Sequence, residues 1–391
     1  MSGTPSQPGT PGLLRAMNDK AALALLLEHG PLTRAQIGEL TGLSKPTASQ
    51  VVTRLEQLDL IDVVGSVPAA RGPSAVTYAV RTDRAHAVAV DVRPHRVLST
   101  LVDAAGTEFP VAEVPLARSA AERSAVGDIS AAIQAACEAA GTTPDTVVTV
   151  IVGLQGAVDP RTDDLAFVGL IPGWPRKAVR AQLEDGLGVS VRIDNDVNLA
   201  AVAERVEGAG RDVDGFALLW MGDGLGLAVD LGGSLHRGAS GGAGEIGYLP
   251  VPRAAAELVP SAKDLQDLIG GIAIKNLARA HGVRGRSFDA VLTDLATHPA
   301  RPAVLSELAT RVAVGVVPVL AVLDPPVVVL GGPTGVAGGR TLAEYVRGHI
   351  RRTTRWSPHI SVSTVADHPV LRGARSVVGA DLRSRLLDLV P

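Results

Sequence analysis

Aromatic side chains are scarce in this chain: they make up 3% of 391 residues, although 46% are hydrophobic. The core must therefore be built from Ala, Val and Leu. Cysteine is nearly absent, and the single Cys137 excludes an intramolecular disulfide and any Cys-based zinc cluster. Its apolar setting, SAAIQAACEAA, suits a buried inert thiol. A surplus of charge is missing too. The net charge is −3, with seven Lys/Arg against six Asp/Glu in residues 1–82 and 30 against 34 in the remainder. No global field advertises nucleic acid, so any DNA contact must come from local placement. No apolar run reaches the ~18 residues of a membrane span. The N-terminal MSGTPSQPGTPG has neither the charged nor the apolar region of a secretion signal. It reads as a disordered leader over residues 1–12, and a cytoplasmic location is expected.

What is present begins with a helix over Leu13–His29, ended by Gly30-Pro31. Thr33-x-x-Gln36 is a capping box for a short second helix, Thr41-Gly42-Leu43 is a tight turn, and Ser44 caps a third helix with Pro46 in its first turn. On that helix Ala48, Val51, Val52, Leu55 and Leu58 share one face. Lys45, Thr47, Ser49, Gln50, Thr53 and Arg54 share the other. A helix–turn–helix presents such a face to the major groove. Two alternating strands around Val67–Pro73 complete a wing whose Arg71 could enter a minor groove or meet phosphate. Residues 13–82 thus read as a winged helix that binds operator DNA. A three-helix protein-binding module is the alternative.

From Ala85 strands and helices alternate, which predicts an α/β domain over residues 83–391. His86–Val92, Leu98–Val102, Val147–Leu154, Val189–Ile193, Phe216–Met221, Gly226–Asp230 and Val327–Leu330 read as strands. Ala120–Ala140 and Val312–Leu323 read as helices. The fourth of those strands delivers Asp194, Asn195 and Asp196 at its carboxyl end, where open α/β sheets bind ligands. A glycine hairpin (Gly222-Asp-Gly224) and Gly-Glu245-Ile-Gly follow. Such a polar cluster suits a polyhydroxylated ligand. Taken singly, these features also fit a helix capped by Asp196 or Asn198 and an ordinary hairpin turn.

LTRAQIGELTGLSKPTASQVVTRLEQLDLI, IDNDVNLAAVAE, the glycine hairpin and GEIG, in that order, resemble the ROK family (repressors, open reading frames, kinases). The resemblance runs from about Leu13 to Leu387 and is nearest to sugar-responsive regulators of the xylose- and N-acetylglucosamine-repressor type. It implies a two-lobed actin/hexokinase-like fold with a sugar, phosphorylated or not, between the lobes. Carried over, Asn195, Asp196 and Glu245 match sugar-binding positions, with Asp196 at the kinase-base position. Trp174 matches a residue that shapes the cleft, and Gly222, Gly224 and Gly226 lie on the second phosphate loop. Tyr248 stands where the family places a zinc-binding His, with its hydroxyl offered to sugar or its ring packed. Gln266 and Asp267 are the nearest counterparts of a further family Glu. The first phosphate loop departs from the family's pattern as Asp91-Val-Arg-Pro-His95, and the second carries Asp223. No structural zinc, no other cofactor and no phosphoryl transfer are expected. The resemblance implies a homodimer, with a tetramer as the alternative assembly. A sugar kinase with a DNA-binding arm and a regulator answering to a protein partner remain the competing functions.

Overall fold

Local capping explains where the N-terminal helices begin. The computed structural model describes residues 11–68, 74–166, 171–365 and 367–391. Helix α1 (Pro11–His29) leads into a two-residue strand β1 (Leu32–Thr33). Thr33 Oγ1 accepts from the Gln36 N–H at 3.2 Å, and Gln36 Oε1 accepts from the Thr33 N–H at 2.9 Å. This reciprocal box opens α2 (Arg34–Thr41), which Gly42 ends at φ +71°. Ser44 caps α3 (Lys45–Gln57), and Pro46 occupies its first turn. The strands β2 (Ile61–Val67) and β3 (Ala75–Val80) pair antiparallel, with β3 also pairing β1, so helices and wing form one unit.

Ala48, Val51, Val52 and Leu55 are buried, but Leu58 is 39% exposed at the helix end and does not belong to the inward face. Helix α1 also starts at Pro11, inside the stretch read as leader, because a proline in the first turn forfeits no helical hydrogen bond. Residues 1–10 and Arg71 lie outside the described residues.

Two sheets of one topology follow. The first contains β4 (His86–Val92), β5 (Arg96–Val102) and β6 (Ala112–Pro115), then, after α4 (Ala125–Ala140), β7 (Val147–Leu154). A small hairpin, β8 (Ala157–Val158) with β9 (Leu165–Ala166), and helix α5 (Val179–Leu187) lead to β10 (Ser190–Asn195). Its order is β10-β7-β4-β5-β6. Helix α6 (Asp196–Glu207) links it to β11 (Gly215–Met221), β12 (Leu225–Leu231) and β13 (Ser234–Leu235). Next come α7 (Leu265–Ile269), α8 (Gly271–Ala280), α9 (Phe288–Thr297), α10 (Arg301–Leu323), β14 (Val328–Gly331), α11 (Gly332–Thr353) and β15 (Ile360–Val362). The order β13-β12-β11-β14-β15 repeats the first sheet read from its other edge, an antiparallel run of three extended on one side by two parallel strands.

Two sequence expectations change here. The helix expected over Ala120–Ala140 is broken: a single turn at Ala120–Glu122 gives way to Ser124, whose hydroxyl caps α4. The apolar Val312–Leu323 run belongs to α10, which begins at Arg301 and is the one helix among the described residues long and apolar enough to cross a bilayer. Of its most apolar window 61% is buried, in the apolar cluster it shares with the neighbouring helices and the second sheet, as a core helix would be.

The chain ends on α12 (Pro369–Asp388), which crosses back to the first sheet and lies along α6. The two helices meet at backbone distance, since a Cβ on Gly373 would stand 1.7 Å from the Leu199 carbonyl oxygen. At its other end α12 meets α1, where Lys20 Nζ lies 3.7 Å from Asp388 Oδ1. A continuous apolar cluster runs from Leu23 and Leu26 to Leu386 and Val390.

Candidate functional site

The cleft between the lobes opens at the end of β10, where the chain must leave a buried strand and start a helix. Asn195 solves both demands. Its Oδ1 accepts from the N–H groups of Val197 (2.8 Å) and Asn198 (3.1 Å), and its Nδ2 donates to the Gly156 carbonyl at 2.9 Å. The cap of α6 is therefore Asn195, not Asp196 or Asn198. One amide N–H remains for a ligand. Asp194 Oδ2 accepts from Arg237 Nη2 at 2.7 Å, an ion pair that joins the two lobes.

Asp196 and Glu245 face the cleft, which holds about 290 Å³ and is also lined by Gln155, Trp220, Tyr248 and Gln266. Burial pushes the Asp196 carboxyl up to about 7, with the nearby Asp91 and Glu245 charges adding to it. Burial likewise pushes Glu245 up to about 7. Gly244 shapes the approach of Glu245: at φ +92° a Cβ would lie 1.8 Å from the Leu227 carbonyl oxygen, so only glycine fits. Tyr248 is 58% exposed at the rim.

Both loops at the phosphate-loop positions have backbone donors engaged within the protein. Arg93 N–H closes onto the Arg96 carbonyl at 2.9 Å in a tight β4–β5 turn, and its guanidinium folds onto the buried Asp91 at 2.8 Å. In the glycine hairpin Gly222 N–H donates to the Gly224 carbonyl at 3.0 Å. Gln266 clamps that hairpin from both ends: Oε1 accepts from Leu225 N–H at 2.7 Å and Nε2 donates to the Asp223 carbonyl at 3.0 Å. Of the two candidates for the further acidic position, Gln266 lines the cleft. Asp267, on α7, instead accepts from the Lys263 N–H at 3.0 Å, just before that helix.

Trp174 does not line the cleft. It is buried in the first lobe, and its indole N–H donates to Asp128 Oδ2 at 2.8 Å, beside the Arg123–Asp128 ion pair. Trp220, which the sequence reading passed over, is the indole that lines the cleft. Its signal was available, as the penultimate residue of a strand that runs into the glycine hairpin.

On the winged helix, Lys45, Gln50 and Thr53 are exposed and Ser49 is half-buried. The Thr47 hydroxyl lies 2.9 Å from Ser44 Oγ, within the cap. Arg54, expected on the reading face, is instead held by Asp19 of α1 in a two-pronged pair, Nε–Oδ2 2.8 Å and Nη2–Oδ1 2.6 Å, with Asp19 4% exposed. Burying that carboxylate needs a cation, and Arg54 is the cation.

Comparison with known proteins agrees with this architecture. The ROK family model matches residues 87–380 and the MarR family model residues 12–72. The chain is 23% identical to the xylose repressor of Bacillus subtilis (strain 168) over 61% of each chain. It is 25% identical to the DNA-binding transcriptional dual regulator NagC of Escherichia coli (strain K12), over 64% of this chain and 61% of that one. The alignments thus span about three fifths of these relatives' lengths. Among solved structures, a ROK family transcriptional regulator, a homolog of the E. coli MLC protein, superposes with a TM-score of 0.67 at 17% identity, over 96% of this chain and 98% of that one. A ROK family glucokinase from Streptomyces griseus in complex with glucose and AMPPNP gives 0.60 at 24% identity, over 75% and 98%. The structural likenesses establish the shared fold, and because the family model covers most of its length, the chain belongs to the ROK family.

Proposed function

We propose that the protein is a sugar-responsive DNA-binding transcriptional regulator, a repressor of carbohydrate-metabolism genes that acts as a homodimer. The observation that carries the reading is the joining of two parts in one chain. A winged helix presents Lys45, Ser49, Gln50 and Thr53 on one face of α3, and its α1 rests on α12, the helix that lies along the α6 of the cleft. A ligand that closes the lobes on Asn195, Asp196 and Glu245 displaces α6 and α12 together, and so shifts the winged helix. In a two-fold dimer that shift alters the spacing of the two reading helices.

Phosphoryl transfer is the alternative, kept in view by Asp196 at the kinase-base position. Pro94, which has no N–H to offer, and the Asp223 carboxylate at the hairpin argue against it, because that chemistry depends on backbone and metal positioning of the phosphates.

The test begins by selecting a binding site from random duplex DNA with the full chain, then measuring variants on it. Lys45→Ala is expected to lower affinity on all sequences and reduce the salt slope by about 1. Gln50→Ala is expected to cost about 1–3 kcal/mol on the selected site alone. If both variants bind like the parent, α3 is not the reader. In the same preparation, Asp196→Asn is expected to abolish the rise in melting temperature that a bound sugar confers. A rise that requires MgATP, with ADP formed, would replace the regulator by the kinase.

A further inference from the structure

The residues that line the cleft are one-sided in charge. Four are carboxylates (Asp196, Asp223, Glu245 and Asp264), and among the described residues lining it none is Lys, Arg or His. Arg237 and Arg93, outside the lining, are held in ion pairs with Asp194 and Asp91. At the hairpin the Leu225 and Gly222 N–H groups are engaged, by Gln266 and by the Gly224 carbonyl. A phosphate brought here would meet like charge with no counter-ion.

The carboxylates keep acceptor capacity. Asp196 Oδ1 takes the Val197 N–H at 2.9 Å, and Asp264 Oδ1 takes the Asp267 N–H at 2.9 Å, which leaves each a second oxygen. Asp223 is exposed at the hairpin tip. The Asn195 and Gln266 amides each give one N–H to a backbone carbonyl and keep one. A ligand that carries a positive charge satisfies four carboxylates better than a neutral or anionic one.

Resting on the sugar-cleft reading above, we propose that the effector is an unphosphorylated amino sugar whose amine is free and protonated. The ammonium supplies three donors and one positive charge to carboxylates that otherwise repel each other, and the ring hydroxyls are taken by Asn195 and the remaining carboxylate oxygens. N-acetylation removes the charge, and a phosphate adds the wrong one. Because Asp196 and Glu245 stand near 7 in the free cleft, cation binding draws them to the ionised form and releases protons.

Calorimetric titration of the full chain with matched sets in the gluco, galacto and manno configurations tests this. Each set contains the hexose, the 2-amino-2-deoxyhexose, its N-acetyl derivative and its 6-phosphate. In at least one configuration the free amine is expected to bind about tenfold or more tightly than its hydroxyl parent. The N-acetyl and phosphate forms should bind more weakly than the amine, and heat measured in two buffers should report proton release. A hydroxyl parent or a 6-phosphate that binds as tightly as the amine overturns the inference and leaves the sugar reading standing. Silence across all sets overturns both. The double variant Asp223→Asn/Asp264→Asn, in which asparagine still caps α7, is expected to shrink the advantage of the amine several-fold. An unchanged advantage also overturns it.

Discussion

Replacing Gly373 by alanine is expected to cost the regulatory domain about 2–4 kcal/mol and to uncouple its two ends. A Cβ there would stand 1.7 Å from the Leu199 carbonyl oxygen and 2.6 Å from its carbon. Neither atom can rotate away, because both belong to the backbone of α6. The helices must part, and the apolar residues between them (Leu199, Ala200, Val370 and Ala374, all nearly fully buried) lose contact. Denaturant unfolding should show a lower midpoint with an unchanged slope. Gly379→Ala, on the same helix, is the control. Its Cβ would meet Val102 Cγ1 at 3.7 Å, an ordinary contact, so helix propensity alone should leave it neutral or up to about 1 kcal/mol more stable. Equal effects from the two variants would show that α12 does not depend on close approach to α6.

The second large effect concerns the winged helix. Asp19→Ala leaves Arg54 without the carboxylate it grips, and removing one partner of a buried pair is strongly destabilising. The Arg54 side chain is 30% exposed and the Asp19 side chain 6%, so water recovers part of the loss and about 2–3 kcal/mol is expected. DNA affinity should fall with folding, although Asp19 lies on α1 and not on the reading face. The double replacement Asp19→Leu/Arg54→Met separates the two roles of Arg54. Apolar residues in both places can be nearly neutral, so a folded double variant that still binds the selected DNA site establishes Arg54 as a structural tie. A folded double variant that fails to bind makes Arg54 a DNA contact.

These two ties lie on one line through the molecule. The cleft residues Asn195 and Asp196 begin α6, Gly373 seats α12 on α6, the end of α12 meets α1 at Lys20 and Asp388, and Asp19 of α1 holds Arg54 of α3. Motion at the cleft therefore has a packed route to the reading helix. Gly373 and Asp19 are the places where that route can be cut.

The features legible in the sequence are those whose partners lie within a few residues. The Thr33/Gln36 box, the left-handed Gly42 and the Ser44 cap are short-range hydrogen bonds and turns, and the chain dictates them before any core forms. The strands ending at Leu154 and near Asn195 were visible as short apolar runs bounded by turns. Asp196 and Glu245 could be named because each sits in a short motif on its own loop. Tertiary structure decided the rest, since the deciding partner was far along the chain. Arg54 was drawn from the reading face by Asp19, 35 residues away, and Trp174 from the cleft by Asp128, 46 residues away. Gln266 became the clamp of a hairpin 43 residues earlier. The repeated sheet order, and the return of α12 from the end of the chain to the first lobe, follow from burying apolar faces that no local pattern pairs. A carboxylate is written in the sequence. The cation that neutralises it, or the ligand that must, is chosen only when the chain closes around it.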